Sequence, residues 1–209
     1  VEALRGNWQG EERLRQYCLN KAPKYGNDDD EVDAIGVRLL QFYCDYFDRW
    51  NEKVDWIIFA AGIGTFENYP RFGYICGASA DGRRAQAPVA SNYSASFGMD
   101  RNGPTAVIKS ATKFDLARLN DGCPVDLRMN FGSGVAGPAV LKDFIRGFIS
   151  LGGNILTIST VSTETLRAAQ REPEKYASLR VRLGGLTAYF VQLCETQQNE
   201  FIRRTEHGF

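Results

Sequence analysis

The feature that most limits what this chain can fold into is a shortage of strands. From Pro138 onward the pattern alternates: helical over 138–151, extended over 154–160, helical over 164–172 and 174–179. It is then extended over 181–183 and again over 189–193, with a final helix over 195–206. Alternation of this kind indicates an α/β protein. Adding candidates at 54–60 (VDWIIFA) and 125–131 (VDLRMNF) brings the strands to four or five. A closed barrel needs about eight. An open sheet leaves unpaired edges, so the missing strands are expected from another segment or another chain.

The first half is more helical. Residues 11–20 form a short charged helix candidate, and Gly26-Asn27 breaks the chain before Asp28, Asp29 and Asp30. Three acids there suit a helix N-terminus through capping and the dipole; a metal site is the alternative. Val32, Ile35, Leu39, Phe42, Tyr43, Tyr46 and Trp50 follow at helical spacing and predict a long amphipathic helix with that face inward. A glycine-bearing turn (Gly62-Ile63-Gly64) follows the 54–60 strand, and residues 66–103 read as a long irregular stretch. Loops that long are usually functional or packed against another part of the protein. A helix is expected over 105–114.

Composition narrows the chemistry. Lys plus Arg and Asp plus Glu stand at 25 each, so no broad attraction to nucleic acid or an anionic membrane follows. No apolar run reaches the roughly 20 residues of a bilayer span, and no signal-peptide pattern opens the chain. The first residue is Val1, from which a natural start elsewhere is expected. The five cysteines (Cys18, Cys44, Cys76, Cys123, Cys194) form no CxxC pair, and His207 is the one histidine. A cysteine–histidine zinc site therefore lacks ligands. The thiols read as reduced and buried in a cytoplasmic protein, and His-based acid–base catalysis has little to draw on.

Gly132, Gly134 and Gly137 match G-x-G-x-x-G between a strand and a helix, the setting of a dinucleotide fingerprint. The next strand, however, ends in Ser159 and Thr160, where a ribose-binding acid should stand. A flexible strand-to-helix loop is the competing reading.

Three blocks are more specific. GASADGRRAQAPVASNYSASFGMDRNGPTAVIKSATK (77–113) closely resembles the "GATPDGR…NGPTA…KS" segment of glycyl radical enzymes. LRVRLGGLTAYFVQL (179–193) resembles their radical loop, and QQNEFIRRTEHGF (197–209) their terminal helix and tail. KYGNDDDEVD (24–33) and the GG…V…ETL…A…PEKY run over 151–179 are also similar, so the resemblance covers nearly the whole chain. It implies that Gly185 carries the radical, with Arg182, Gly184, Leu186 and Tyr189 around it. An α-carbon radical delocalises over the flanking amides only at a planar centre, which a residue without Cβ reaches most easily; a plain turn at Gly184-Gly185 is the alternative. The family usually has an aromatic residue where Leu186 stands and Ala or Ser where Gly184 stands.

The resemblance further implies part of a ten-stranded α/β barrel, with residues 1–115 as a barrel segment and 116–209 as the glycyl radical domain. No bound cofactor is implied, only a radical on Gly185 installed by an S-adenosylmethionine/iron–sulfur activase. The radical would oxidise a cysteine in a GCxE-like motif to a thiyl, which attacks a small-molecule substrate. No GCxE occurs here, so that cysteine is expected in an amino-terminal portion, within a homodimer of the full enzyme. Thr65, Phe66, Glu67 and Asn68 in GIGTFEN match a segment lining the family's substrate cavity, with core packing the alternative for Phe66. GASADGR resembles the dehydratase, lyase and decarboxylase branch. A stand-alone spare part that docks on a damaged enzyme is the second reading.

Overall fold

A computed structural model describes residues 1–131, 137–183 and 185–208. The elements in chain order are α1 (Glu2–Arg5), α2 (Glu12–Asn20), α3 (Asp30–Asn51), α4 (Tyr69–Ile75), α5 (Pro104–Ala111), β1 (Pro124–Asn130), α6 (Gly137–Ser150), β2 (Ile155–Ser159), α7 (Thr163–Arg171), β3 (Arg180–Leu183), β4 (Leu186–Tyr189), α8 (Glu195–Arg203) and β5 (Glu206–Gly208).

The sheet order is β2-β1-β5, parallel throughout. β1, α6 and β2 form a crossover unit, as parallel neighbours require. The sequence of β1, PVDLRMN, alternates in character yet is buried from Val125 to Met129. Val125, Leu127 and Met129 pack against Val107, Ile108 and Ala111 of α5 and Phe144 and Phe148 of α6. Asp126 and Arg128, 8% and 3% exposed, turn to the opposite face. Burying such groups is costly without partners, and both have them. The Asp126 carboxylate accepts from Ser91 and Asn92 and its amide donates to Ser94 Oγ, while Arg128 donates to the carbonyls of Phe201 and Arg204. The polar face of the central strand thus holds a loop on one side and the carboxy-terminal tail on the other.

The acidic triplet acts as a helix start. Asp29 Oδ1 accepts from the amides of Glu31 and Val32, 3.1 and 3.3 Å away, and Lys113 bridges Asp28, Asp30 and Asp33. The long helix forms as expected, but it buries a different stripe. Leu40 and Cys44, with Val37, Tyr43 and Phe47, pack against Phe114, Leu116, Leu119 and Cys123. Ile35, Leu39, Phe42, Tyr46 and Trp50, the expected inward face, are exposed. α3 is apolar on two sides, and periodicity alone does not say which one this chain covers.

Five other expectations need correction. Residues 54–60 form no strand. No strand among the described residues pairs with them, Trp56 and Ile58 lie exposed, and Asn51 instead bonds the Phe59 backbone through both side-chain polar atoms. The 66–103 stretch contains α4, whose Pro70 sits in the first turn, where a missing amide costs nothing. Residues 173–176 are a 3₁₀ turn rather than the start of a helix, and 190–192 are another, because the second extended run begins earlier, at Leu186. The last helix stops at Arg203: Arg128 takes its final carbonyls, and residues 206–208 become β5. No helix among the described residues is long and apolar enough to cross a membrane.

Candidate functional site

β3 and β4 form the only antiparallel pair among the described residues, in register from Arg180↔Tyr189 to Leu183↔Leu186. Gly184 lies outside the described residues; Gly185 follows it at φ +91°. A side chain is strained there, which is why tight hairpins use glycine at such positions. Space is not the constraint, since a Cβ on Gly185 would meet nothing within 4 Å. Gly185 is exposed, as are Leu186 and Tyr189 beside it.

Two of the four neighbours named from sequence, Arg182 and Tyr189, make side-chain contacts on this hairpin. Arg182 and Thr187 face each other across the strands, and Arg182 Nη1 donates to Thr187 Oγ1 at 2.7 Å. The Arg180 guanidinium stands 5.5 Å from the centre of the Tyr189 ring, at the far end of the pair. Below, Val181 and Phe190 enter a buried cluster with Leu166, Ala169, Phe201 and Tyr69. Thr187 was missed in the sequence because its part depends on being opposite Arg182.

The second group of expected residues lies in the loop before α4. Asn92 Oδ1 accepts from the amides of Thr65 (2.9 Å) and Phe66 (3.1 Å), while its own amide donates to Thr65 Oγ1 at 2.8 Å. Asn92 Nδ2 donates to Asp126 Oδ2 at 2.7 Å, and Ser91 Oγ to the same oxygen at 2.6 Å. Phe66 and Asn92 both sit in left-handed backbone, at φ 47° and 48°. Asn tolerates this; a bulky Phe does not without support. Glu67 is exposed, and Asn68 precedes α4 with its amide bonded to the Thr65 carbonyl. Ser91, Asn92 and Asp126 went unnoticed in the sequence, since their partners lie 26 to 35 residues away and no local pattern marks them.

No hydrogen bond or ion pair among the described residues joins the hairpin tip to residues 65–68. The link is apolar: Tyr69, directly after the loop, is fully buried in the cluster that holds Val181 and Phe190. Of the thiols, Cys44 and Cys123 are buried, and burial raises both, Cys123 to about 11. Cys76 and Cys194 are exposed. Of the G-x-G-x-x-G glycines, Gly132 and Gly134 lie outside the described residues; Gly137 opens α6 and is buried.

Residues 1–73 match the family model for pyruvate formate lyase-like proteins, and residues 89–191 match the glycine radical model. The chain is 35% identical to the isethionate sulfite-lyase of Nitratidesulfovibrio vulgaris over 211 residues, covering 99% of this chain and 25% of that protein. Its fold is similar to that of the glycerol-bound, B12-independent glycerol dehydratase from Clostridium butyricum (TM-score 0.91, 32% identity, 100% of this chain and 26% of that one). It is also similar to a glycyl radical enzyme from Archaeoglobus fulgidus (TM-score 0.88, 37% identity, 100% and 27%). The chain thus spans about a quarter of the length of these relatives. Ordered sequence blocks, two family models and a shared partial barrel agree, and the chain belongs to the glycyl radical enzymes.

Proposed function

We propose that this chain is the carboxy-terminal part of a glycyl radical lyase and that Gly185 stores the radical. The observation that carries the reading is the place of Gly185. It is a glycine in a left-handed turn at a hairpin tip, braced by Arg182–Thr187 and lying inside the match to the glycine radical model. Loss of one hydrogen atom from its α-carbon leaves a centre that flattens without a side chain to move. Residues 1–115 would supply a barrel segment with the pocket loop, and 116–209 the radical domain.

The chemistry runs by hydrogen-atom transfer. An S-adenosylmethionine-dependent activase would remove a hydrogen atom from Gly185, its iron–sulfur cluster supplying the electron that cleaves the cofactor. Gly185 then takes a hydrogen atom from a cysteine thiol, leaving a thiyl. The thiyl takes a hydrogen atom from a substrate carbon, the substrate radical expels its leaving group, and the product radical recovers the hydrogen from the thiol. No GCxE motif occurs here, so the cysteine would come from the amino-terminal remainder. The exposed second apolar face of α3 and the unpaired 54–60 segment are surfaces such a remainder would cover. The full enzyme would be a cytoplasmic homodimer. The substrate would be a small molecule undergoing elimination or fragmentation, as the names of the relatives suggest, with Thr65, Phe66, Glu67 and Asn68 at its pocket.

The test is electron paramagnetic resonance of the full-length protein after anaerobic activation. Wild type should give a glycyl doublet and Gly185→Ala none. A doublet that survives the substitution refutes the assignment.

A further inference from the structure

Phe66 is held at a cost with no matching gain in burial. Its backbone is left-handed at φ 47°, a region bulky residues avoid, yet the residue is 53% exposed. Core packing therefore does not explain why the chain tolerates the strain. What holds it is one side chain: Asn92 Oδ1 receives the Thr65 and Phe66 amides together. Asn92 is itself left-handed, and its Nδ2 is anchored on the buried carboxylate of Asp126 in the central strand. A Cβ on Gly64 would lie 3.5 Å from Phe66 Cε2 and 4.0 Å from Asn92 Oδ1, so ring and amide flank the same small residue. Strain held in place by a rigid scaffold is the arrangement expected where a side chain must be presented rather than buried.

We propose that Asn92 is a positioning residue that fixes the Phe66 ring as an apolar wall against the carbon skeleton of the substrate. The wall carries no charge, so it selects for the shape of the skeleton and leaves the leaving group to other residues. This rests on the reading of residues 65–68 as a pocket loop of a glycyl radical lyase. Asn92 acts through Phe66 and touches no reacting atom.

The experiment is a double-mutant cycle in the activated full-length enzyme, with whichever of isethionate and glycerol it turns over as probe. Asn92→Gly removes the amide but accepts the left-handed backbone. It should raise KM about tenfold, the worth of one or two hydrogen bonds, with the spin count of the glycyl doublet unchanged. Phe66→Ala should do the same, and the double variant should be no worse than either single change, because the amide has nothing left to position. Exchanging the two groups (Asn92→Asp with Asp126→Asn) leaves a carboxylate oxygen to accept the Thr65 and Phe66 amides and reverses only the bonds at residue 126, whose new amide donates to residue 92 and to the Ser91 hydroxyl; it should return KM to within about twofold of wild type. An unchanged KM in Asn92→Gly, additive effects in the double variant, or a spin count that falls in step with KM each overturn the proposal while leaving Gly185 untouched. A wild type without a doublet is a different failure: it removes the radical reading and this inference with it.

Discussion

The two halves of the candidate site are built in opposite ways. The Gly185 hairpin is local: four residue pairs in continuous register, a two-residue turn and one cross-strand bond between residues five apart. The loop at residues 64–68 is the reverse, since its shape depends on Asn92 and, through it, on Asp126 in a strand some sixty residues along the chain. A hairpin carries its geometry with it, and so keeps its shape even where it is exposed. A clamped loop is only as well placed as the core that holds it, which suits a wall that must not move.

The sharpest attack on this contrast is at the tip. After activation, air should cut the wild-type chain at Gly185 and release the tail from Leu186 to Phe209, 24 residues. Gly185→Ala should give no such fragment on mass spectrometry, whereas Gly184→Ala should still give it. Cleavage that follows Gly184 instead would move the radical one residue along.

Next comes the clamp. Asp126→Ala leaves Ser91 and Asn92 as buried donors without their shared acceptor. The full-length protein should lose about 3 kcal/mol in chemical denaturation, within the range for breaking a buried charged network. A loss below about 1 kcal/mol, the level of a single neutral hydrogen bond, would make the clamp as dispensable as a surface contact and erase the contrast.

A smaller effect is expected at the tail. Burial tends to raise the carboxyl of Glu206, but hydrogen bonds from the Thr163 hydroxyl and amide and from Asn130, with the charge of Arg128, outweigh it and leave Glu206 below the ordinary value of 4.5. A carboxylate depressed on folding adds stability that is complete above its unfolded value and fades as pH falls through the folded one. The thermal midpoint of wild type should therefore drop more steeply below about pH 4.5 than that of Glu206→Gln. Parallel curves would mean that the carboxylate does not hold β5.

The smallest change is expected from Thr187→Val, which removes the cross-strand bond at an exposed pair. Stability should shift by about 0.5 kcal/mol, as for other exposed cross-strand pairs. The doublet should persist, with a lower yield of spins per protomer after a fixed activation time, because the tip is less firmly held. An unchanged yield would leave Arg182 without a part in placing Gly185.

Much of this was legible in the residues. Pro138, the paired glycines at 152–153 and the apolar run of β2 mark the crossover unit, and Gly185, singled out through the family resemblance, has a φ of 91°. Asp28, Asp29 and Asp30 announced a helix start for a local reason, the need of the first amides for acceptors. What failed shares a different cause. Residues 54–60 have strand character but no strand to pair with among the described residues, and α3 offers two apolar stripes between which periodicity does not choose. Residues 195–206 read as one helix because nothing in them reveals that Arg128 will take the last carbonyls.

The sequence by itself determined the helix starts and the crossover, because each depends on backbone preference or spacing within a few residues; the family was legible through the resemblance of several blocks in order along the chain. Only the tertiary structure decided that α3 turns Leu40 and Cys44 inward, that the tail ends as a strand, and that Asn92 reaches Phe66. Those outcomes follow from apolar faces and buried polar groups finding partners far along the chain. A linear pattern says which residues need partners, and the packed fold says where the partners are.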